Sequence, residues 1–503
     1  MTPQFFSISD QVALHGLYRG DEIAFIEGER CETWSELNAR ANRIAHALIG
    51  RGVARGDRIA VLYGSQIEAY EVLLGIWRAG AAFVPLSPML TPDLTASLAK
   101  NAGAKLVITN EAFAKIAAAA QPEAGFEQVT GSQLLDASQN ETATGVANAP
   151  DDLATIIYSS GTTGTPKGIA HNHAARRTAT EIVALQLQYN PNSVAYLMIP
   201  PHSNGAFMVW GAAFAVGFKT VLHPAFDVPE FFGILKKWKP THGFLIPTIC
   251  NALIGIPGIE KVGLECFDWA ITAGAPMPER VKTRMIELTG NGLAELWGLT
   301  ESVASVNPPS DMQEHMNTVG RPVNGVELRI IDEDGKDITQ KGVGEIVGRS
   351  NTLMDGYWEM PQKDAEATWI SPDGVEYFRT GDLGEIGADG RLILRGRNKE
   401  MLISGGLNVY PVDIEATFMK DARVADVAVV GVPHDHWGET PIAFVVAKPD
   451  LALSADDLKN AVNENLAKHQ RVSDVVLVEG DFPRNTLGKP LKQEMRASYL
   501  AAL

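Results

Sequence analysis

Cysteine is scarce in this chain, which has 503 residues and contains three cysteines, Cys31, Cys250 and Cys266. Their spacing fits no metal-binding pattern, and so few cysteines argue against a disulfide framework. Hydrophobic runs are also short, since the longest uncharged apolar stretch, residues 207–218, cannot span a bilayer. The first residues show no basic region followed by an apolar core, so we expect no signal peptide. These absences predict a cytoplasmic protein that does not span a membrane.

Positive charge is the second thing that the chain lacks. It has 43 Lys and Arg against 60 Asp and Glu, a formal net charge of -17. Nucleic acids and anionic membranes bind basic patches, so neither is an expected partner. If the substrate carries phosphate, a few local positive groups must hold it, because the overall field is repulsive. The length predicts two or more domains.

Strands and helices alternate through the first part of the sequence. Thr33 and Glu36 predict a capping box before a helix over 34–50, and Ser65 and Glu68 predict a second one. Short apolar segments between such helices predict strands, at 58–63, 81–86 and 105–109 among others. This alternation predicts an α/β fold, with a large N-terminal domain of parallel α/β layers. Residues 121–150 are polar and weakly patterned, and we expect a surface connection there.

The pattern changes after residue 320. Glycine-rich turns separate short strands there, which predicts a β-rich subdomain. The polar break Gly396-Arg397-Asn398-Lys399 is followed by a compact α+β stretch. We therefore predict an N-terminal domain over 1–396, a hinge over 397–399 and a small mobile C-terminal domain over 400–503.

Residues 158–168, YSSGTTGTPKG, are the most distinctive stretch. Glycines let backbone N–H groups approach an anion, hydroxyls donate hydrogen bonds, and Lys167 adds a positive charge. An apolar segment over 153–157 predicts a strand that leads into this loop. The stretch is not a Walker A loop, because Gly168 follows Lys167 and the glycine spacing differs. The alternative is a flexible surface loop without a ligand.

This loop resembles the phosphate-binding motif of the adenylate-forming (AMP-binding) superfamily. That superfamily includes acyl- and aryl-CoA synthetases, adenylation domains of peptide synthetases, and luciferase. Further stretches resemble its other motifs, in the same order and across nearly the whole chain: Gly274-Ala275-Pro276, Trp297-Gly298-Leu299-Thr300-Glu301 after Glu295 and Leu296, Arg379-Thr380-Gly381-Asp382, Gly396 to Lys399, Ser404-Gly405-Gly406, and Pro483 to Lys489. Trp297 stands where the superfamily usually has Tyr.

The resemblance implies a nucleotide site. Ser159, Ser160, Thr162, Thr163 and Lys167 would bind the β- and γ-phosphates of ATP, and Gly274, Ala275 and Pro276 would form the adenine loop. Trp297 would stack on adenine, and Thr300 would touch the α-phosphate. The other nucleotide-binding residues of this stretch would be Glu295, Leu296, Gly298 and Leu299. Asp382 would accept hydrogen bonds from the ribose hydroxyls, and Arg397 would support the ribose or the phosphates.

The resemblance also implies the catalytic roles, carried by Lys489, Thr162 and Glu301. Glu301 would hold Mg²⁺, whereas Lys489 would bridge the substrate carboxylate, the α-phosphate and the ribose. Lys492 is the rival for that second role. The small domain would swing about Lys399 between two states, so that Ser404, Gly405 and Gly406 can meet the pantetheine arm of CoA. His202, Asn204, Gly205 and Phe207 would line the acyl pocket.

The implied activity is activation of a carboxylic acid by ATP, with release of pyrophosphate, followed by transfer of the acyl group to CoA. Residues 201–207 offer no carboxylate for a substrate ammonium, which disfavours an amino acid. Residues 204–209 contain no Lys or Arg, which favours a monocarboxylate with an apolar tail over a dicarboxylate. Aryl, short branched and medium-chain acids remain open, and so does a homodimer. The alternatives are a ligase that loads a carrier protein, a luciferase-like oxygenase and an inactive homologue.

Overall fold

The computed structural model describes residues 5–159, 166–405, 407–448, 453–484 and 489–502. Within these ranges no helix is both long enough and apolar enough to cross a membrane. The prediction of an α/β architecture with a large N-terminal and a smaller C-terminal part is confirmed.

The N-terminal α/β region extends to residue 322. Its elements are α1 (Ile8–Tyr18), β1 (Ile23–Glu27), β2 (Arg30–Thr33), α2 (Trp34–Gly50), β3 (Arg58–Leu62), α3 (Ile67–Arg78), β4 (Ala82–Leu86), α4 (Pro92–Asn101), β5 (Leu106–Thr109), α5 (Ala114–Ala124), β6 (Glu127–Thr130), α6 (Gly131–Ala137), β7 (Leu153–Ser159), β8 (Lys167–Asn172), α7 (His173–Gln186), β9 (Val194–Leu197), α8 (Asn204–Val216), β10 (Lys219–Leu222), α9 (Val228–Trp238), β11 (His242–Phe244), α10 (Pro247–Ile254), β12 (Trp269–Ala273), α11 (Glu279–Leu288), β13 (Leu293–Gly298), β14 (Ala304–Asn307), α12 (Pro309–Met312) and β15 (Arg321–Pro322).

A β-rich region and a C-terminal α+β region follow. The first contains β16 (Val326–Ile331), β17 (Gly344–Ser350), β18 (Gly356–Tyr357), α13 (Pro361–Glu366), β19 (Thr368–Ile370), β20 (Glu376–Ile386) and β21 (Leu392–Arg397). The second contains β22 (Leu402–Ser404), β23 (Leu407–Val409), α14 (Pro411–Phe418), β24 (Val424–His434), β25 (Gly438–Ala447), α15 (Ala455–Asn463), β26 (Asp474–Val478) and α16 (Lys492–Ala502).

Two largely parallel sheets build the N-terminal region. In the described part of the chain, one has nine strands in the order β15-β14-β13-β12-β11-β9-β10-β1-β2, and the other has seven in the order β18-β8-β7-β4-β3-β5-β6. Antiparallel pairs are confined to the ends of both sheets, where hairpins such as β7–β8 and β13–β14 return the chain. Two further sheets form around β17–β20 and β24–β25.

Helices between the two large sheets form the main core. Trp77 of α3 and Trp210 of α8 are both fully buried, with ring centroids 6.0 Å apart. The helix α2 packs against α3 through residues at helical spacing, and Leu37, Ile44 and Leu48 are fully buried there. Thr33 caps this helix, and the reciprocal bond to Glu36 confirms the first predicted capping box.

Two local predictions were wrong. The helix α3 begins at Ile67 after Gln66, with no side-chain cap, because the Ser65 hydroxyl lies beside the hydroxyl of Tyr70. Residues 121–150 are more than a surface connection, since β6 adds a parallel strand to the seven-stranded sheet and α6 starts with its own capping box at Thr130. Polar composition hid a strand at the end of the sheet, where one side faces solvent.

Candidate active site

The predicted nucleotide residues lie at the ends of three strands, one in the seven-stranded sheet and two adjacent ones in the nine-stranded sheet. Ser159 ends β7, Ala273 ends β12 before the predicted adenine loop, and Gly298 ends β13. Open α/β sheets bind ligands at the carboxyl ends of their strands. Gly274 adopts a φ of +94° and is exposed, in a turn that favours glycine. Ala275 and Pro276 follow it in the same loop.

The phosphate loop is described only at its two ends. Ser159 pairs with Lys167 across the β7–β8 hairpin, so the loop closes on adjacent strands. Ser160, Thr162 and Thr163 lie outside the described residues, and their predicted roles stay predictions.

Lys167, Tyr357 and Glu301 form a contact chain next to this loop. The Lys167 Nζ lies 4.3 Å from the centroid of the Tyr357 ring. The Tyr357 hydroxyl donates a hydrogen bond of 2.9 Å to Glu301 Oε1. Burial raises the pKa of Glu301, whereas this hydrogen bond and the charges of Arg397 and Lys167 oppose the rise. No sequence motif pointed to Tyr357, which reaches the site because β18 pairs with β8.

Glu301 suits a metal ion that is held mainly by a nucleotide. Among the described residues no group of three or more His, Cys, Asp and Glu side chains could form a metal cage. Mg²⁺ commonly binds through one or two carboxylates together with substrate phosphates and water. A single buried carboxylate next to a predicted phosphate loop therefore fits Mg²⁺ bound to ATP.

Asp382 lies at the centre of a second group. The Trp297 Nε1–H donates a hydrogen bond of 2.8 Å to Asp382 Oδ2, and both side chains are buried. Arg397 Nε lies 2.8 Å from Asp382 Oδ1, close enough for an ion pair. Its N–H is not aligned for a hydrogen bond, so Oδ1 has no hydrogen-bond partner among the described residues. This buried oxygen is free to accept a ligand hydroxyl, as the predicted ribose contact requires.

Lys489 lies close to this same group. Burial and the charge of Arg397 lower the pKa of Lys489, whereas Glu400 and Asp382 raise it. Its Nζ lies 3.5 Å from Glu400 Oε1. The C-terminal region thus presents Lys489 to the carboxylate that is predicted to bind ribose.

Lys492, the rival lysine, is held differently. Its Nζ lies 2.7 Å from Glu415 and 3.2 Å from Glu400, which raises its pKa despite burial. Two carboxylates therefore neutralise Lys492 within the C-terminal region. Lys489 is the better placed of the two to meet an anionic substrate.

The side chains of Glu295 and Leu296 face away from this group. Glu295 is buried in an ion pair with Lys282, with 2.5 Å between Nζ and Oε2. Leu296 belongs to the main hydrophobic core. Leu299 and Thr300 follow at the partly exposed strand end. The predicted nucleotide role of Glu295 and Leu296 would accordingly rest on their backbone.

The predicted acyl-pocket residues gather at the start of α8. Phe207 is buried, and a side chain at Gly205 would approach the Phe244 ring to 3.1 Å. His202 is partly exposed, but its Nδ1 is buried without a hydrogen-bond partner among the described residues. Burial lowers the pKa of His202 to about 4, so the ring is neutral at pH 7.

Arg176 is a pocket neighbour that motif reasoning missed. Its Nη1 donates a hydrogen bond of 2.7 Å to Asn204 Oδ1, and its guanidinium lies 4.5 Å from the Phe207 ring centroid. The prediction of an apolar pocket rested on residues 204–209, whereas this arginine lies in α7. One signal was available, because Arg176 shares a helical face with Thr180 and Ala184, and all three are buried.

The predicted hinge and CoA residues lie between the last two sheets. Lys399 is exposed in a short 3-10 helix between the end of β21 at Arg397 and the start of β22 at Leu402. Ser404 is buried at the end of β22, and Gly405 is exposed with a φ of +61°. Gly406 lies outside the described residues.

Comparison with known proteins accounts for these features together. The family model of the AMP-binding enzyme matches residues 15–358, and that of the AMP-binding enzyme C-terminal domain matches residues 413–489. The chain is 31% identical over 482 residues to the long-chain-fatty-acid–CoA ligase FadD13 of Mycobacterium tuberculosis, and the match covers 94% of each chain. It is 28% identical to the fatty acid–[acyl-carrier-protein] ligase ScoC of Streptomyces coeruleorubidus, over 99% of this chain and 97% of that protein.

A solved structure agrees with this assignment. The crystal structure of ATP-bound MatB from Rhodopseudomonas palustris superposes with a TM-score of 0.89 at 28% identity, over 98% of this chain and 99% of that one. Since both family models match and the larger one covers well over half of the residues, the chain belongs to the AMP-binding enzyme family.

Proposed function

We propose that the protein is an AMP-forming acid–thiol ligase that converts a carboxylic acid into its CoA thioester. A carboxylate oxygen attacks the α-phosphorus of ATP, and pyrophosphate leaves. The thiol of CoA then attacks the acyl carbon, and AMP leaves with one oxygen of the original carboxylate. The observation that carries the proposal is the position of Lys489, which lies 3.5 Å from Glu400 and close enough to Asp382 and Arg397 for their charges to affect its pKa.

Lys489 supplies the cation that the first step needs. The carboxylate and the α-phosphate are both anions, and a positive group between them lowers the barrier to their approach. Burial and the neighbouring Arg397 lower the pKa of Lys489, yet Glu400 and Asp382 favour its charged form.

The remaining residues bind and orient the nucleotide. Asp382 accepts from the ribose through Oδ1, because Trp297 already occupies Oδ2. Glu301 would hold a Mg²⁺ ion bound with ATP, which would supply positive charge to offset that of the phosphates. Lys167 and the hydroxyls of the phosphate loop bind the β- and γ-phosphates, as the family resemblance implies.

The second step needs a different arrangement of the C-terminal region. We infer that residues 397–399 act as its hinge, because the sheet that contains β21 ends there and the next begins at Leu402. Rotation would withdraw Lys489 and present Ser404, Gly405 and Gly406 to the pantetheine arm.

We also propose that the protein acts in a reducing compartment such as the cytoplasm. All three cysteines are free, and the chain is similar to CoA ligases, which supports this proposal.

A carrier protein is the second candidate acceptor. The similarity to ScoC, a fatty acid–[acyl-carrier-protein] ligase, supports it. Relatives named for CoA include ligases of indoleacetate, 4-coumarate and 2-succinylbenzoate, so CoA is the acceptor that we favour. These names span aliphatic and aromatic acids and leave the substrate of this chain to experiment.

The test is pyrophosphate release with a panel of carboxylic acids, each with and without CoA. We expect catalytic release only when a suitable acid and CoA are both present, with the matching acyl-CoA detected by mass. A burst of one pyrophosphate per enzyme that CoA leaves unchanged would instead support a carrier-protein acceptor. Absence of release with every acid and acceptor would contradict the proposed function.

A further inference from the structure

Arg176 is a buried cation with no carboxylate within ion-pair distance in the described part of the chain. It is 1% exposed, and it forms no ion pair with any described Asp or Glu, although the more distant carboxylate of Asp355 favours its charged form. Its Nε and Nη2 donate to Thr155 Oγ1 at 3.0 and 2.9 Å, and Nη1 donates to Asn204 Oδ1 at 2.7 Å. A guanidinium has five N–H groups, so two of them have no partner here.

The other buried cations of this structure are compensated. Arg78 also lacks an ion pair, but it donates five hydrogen bonds to Ser9, Asn38 and Asn42. Lys282 is buried against the carboxylate of Glu295. Burying a charge that is neither paired nor fully hydrogen-bonded is costly, and such groups commonly serve a ligand.

The position of Arg176 connects the acyl pocket with the adenylate site. Asn204, which accepts one of its hydrogen bonds, is a predicted pocket residue and is partly exposed. On the other side, the charge of Arg176 lowers the pKa of His171. His171 Nε2 lies 3.2 Å from the hydroxyl of Ser302, which is partly exposed and directly follows Glu301. The guanidinium thus lies between the start of α8 and the segment that is predicted to contact the α-phosphate.

We propose that Arg176 binds a second carboxylate of the acid substrate, so that the preferred substrates are dicarboxylic acids. A planar guanidinium can donate two hydrogen bonds to one carboxylate, and the unpartnered N–H groups of Arg176 lie one on Nη1 and one on Nη2. The reacting carboxylate would point to Lys489, and the second one would supply the directly bonded counterion that Arg176 lacks among the described residues. The inference rests on the proposed function and replaces the sequence-based expectation of a monocarboxylate.

A purely structural role for Arg176 makes a different prediction. In that case the arginine only ties Thr155 of β7 to Asn204 of α8, and its loss would weaken activity with every acid to the same degree. If Arg176 instead binds a second carboxylate, its loss should lower activity with dicarboxylic acids much more than activity with monocarboxylic acids. The comparison therefore needs acids that differ only in that group.

The experiment measures kcat/KM for matched acids, such as succinate against butyrate and 2-carboxyphenylacetate against phenylacetate. For the wild-type protein we expect the diacid of at least one pair to be favoured by about tenfold or more. Arg176→Met should lower kcat/KM for that diacid by about 30-fold or more and change the monoacid by less than about threefold. Arg177→Met is the matched control, because Arg177 is a neighbouring arginine paired with Glu181 on the surface.

The outcomes separate this inference from the proposed function. Preference for the monoacid in every pair, or an equal loss for both acids in Arg176→Met, would overturn the role of Arg176 while ligase activity remains. Failure of all acids would overturn the proposed function instead. If Arg176→Met does not fold, the wild-type acid panel and the Arg176→Lys variant test the proposal instead. Lysine keeps the positive charge but cannot donate the two hydrogen bonds of a planar guanidinium to one carboxylate. A diacid preference that Arg176→Lys weakens supports the proposal, and one that it leaves unchanged contradicts it.

Discussion

Removing the indole N–H of Trp297 isolates one hydrogen bond at the predicted ribose site. Trp297→Phe keeps an aromatic face for adenine but loses the 2.8 Å donor to Asp382 Oδ2. Both side chains are buried, so water cannot readily replace the donor. Asp382 would then keep its ion pair with Arg397 at Oδ1 but would lose the hydrogen bond at Oδ2. We expect weaker ATP binding together with a higher pKa for Asp382.

The size of the effect follows from the charge on Asp382. A hydrogen bond to a charged group contributes about 1.5–3 kcal/mol. At about 1.4 kcal/mol for each factor of ten, this range corresponds to an increase of roughly 10- to 150-fold in the KM for ATP. Burial already raises the pKa of Asp382, and loss of the indole donor raises it further. The ionised carboxylate is the form that accepts from ribose, so affinity is lost as pH falls, and in the variant this loss begins at a higher pH.

The assay is initial velocity against ATP concentration between pH 5 and 8. Trp369→Phe is the matched control, since Trp369 is equally buried and its Nε1 donates a 2.9 Å hydrogen bond to Gly335, away from Asp382. We expect the control to keep the wild-type KM and pH profile. If Trp297→Phe behaves like this control, the indole does not organise the ribose-binding carboxylate, and the reasoning fails.

Three further predictions concern the domains and the core. Lys489→Ala should slow acid-dependent ATP–pyrophosphate exchange by about 100-fold or more, yet leave thioester formation from a supplied acyl-adenylate within about threefold. Gly406→Leu should do the reverse, and equal loss of both half-reactions in both variants would contradict domain alternation. Lys282→Met should lower the free energy of unfolding by about 3–5 kcal/mol in urea, because Glu295 becomes an unpaired buried carboxylate. The double variant Lys282→Met/Glu295→Leu should recover most of that loss, and no recovery would show that the pair does not explain it.

Helix-capping motifs, which involve residues close in sequence, predicted one helix start correctly and one wrongly. The first capping box depends on residues three apart, and Thr33 and Glu36 form it as predicted. The same pattern failed at Ser65, where contacts with Tyr70 and the position of Gln66 fix a different helix start. A capping motif indicates where a helix could begin in an isolated segment, and tertiary contacts decide which of the possible helix starts the folded protein uses.

The order of motifs predicted much of the candidate site, whereas their side-chain partners could not be predicted. Tyr357 bonds to Glu301 from 56 residues away, and Arg176 bonds to Asn204 across 28 residues. Such contacts arise from sheet pairing and helix packing, which carry no local sequence signature. The Trp297–Asp382 bond is of the same kind, since the motifs name both residues but not the contact between them.

The most direct test of the account follows the oxygen of the substrate carboxylate. An acid accepted in the panel is labelled with ¹⁸O in its carboxylate and converted in the presence of ATP and CoA. Attack of that carboxylate on the α-phosphorus transfers one labelled oxygen to AMP, so the account predicts AMP that is heavier by one ¹⁸O and unlabelled pyrophosphate. ADP as the product, or label in phosphate instead of AMP, would contradict an acyl-adenylate intermediate and with it the central claim.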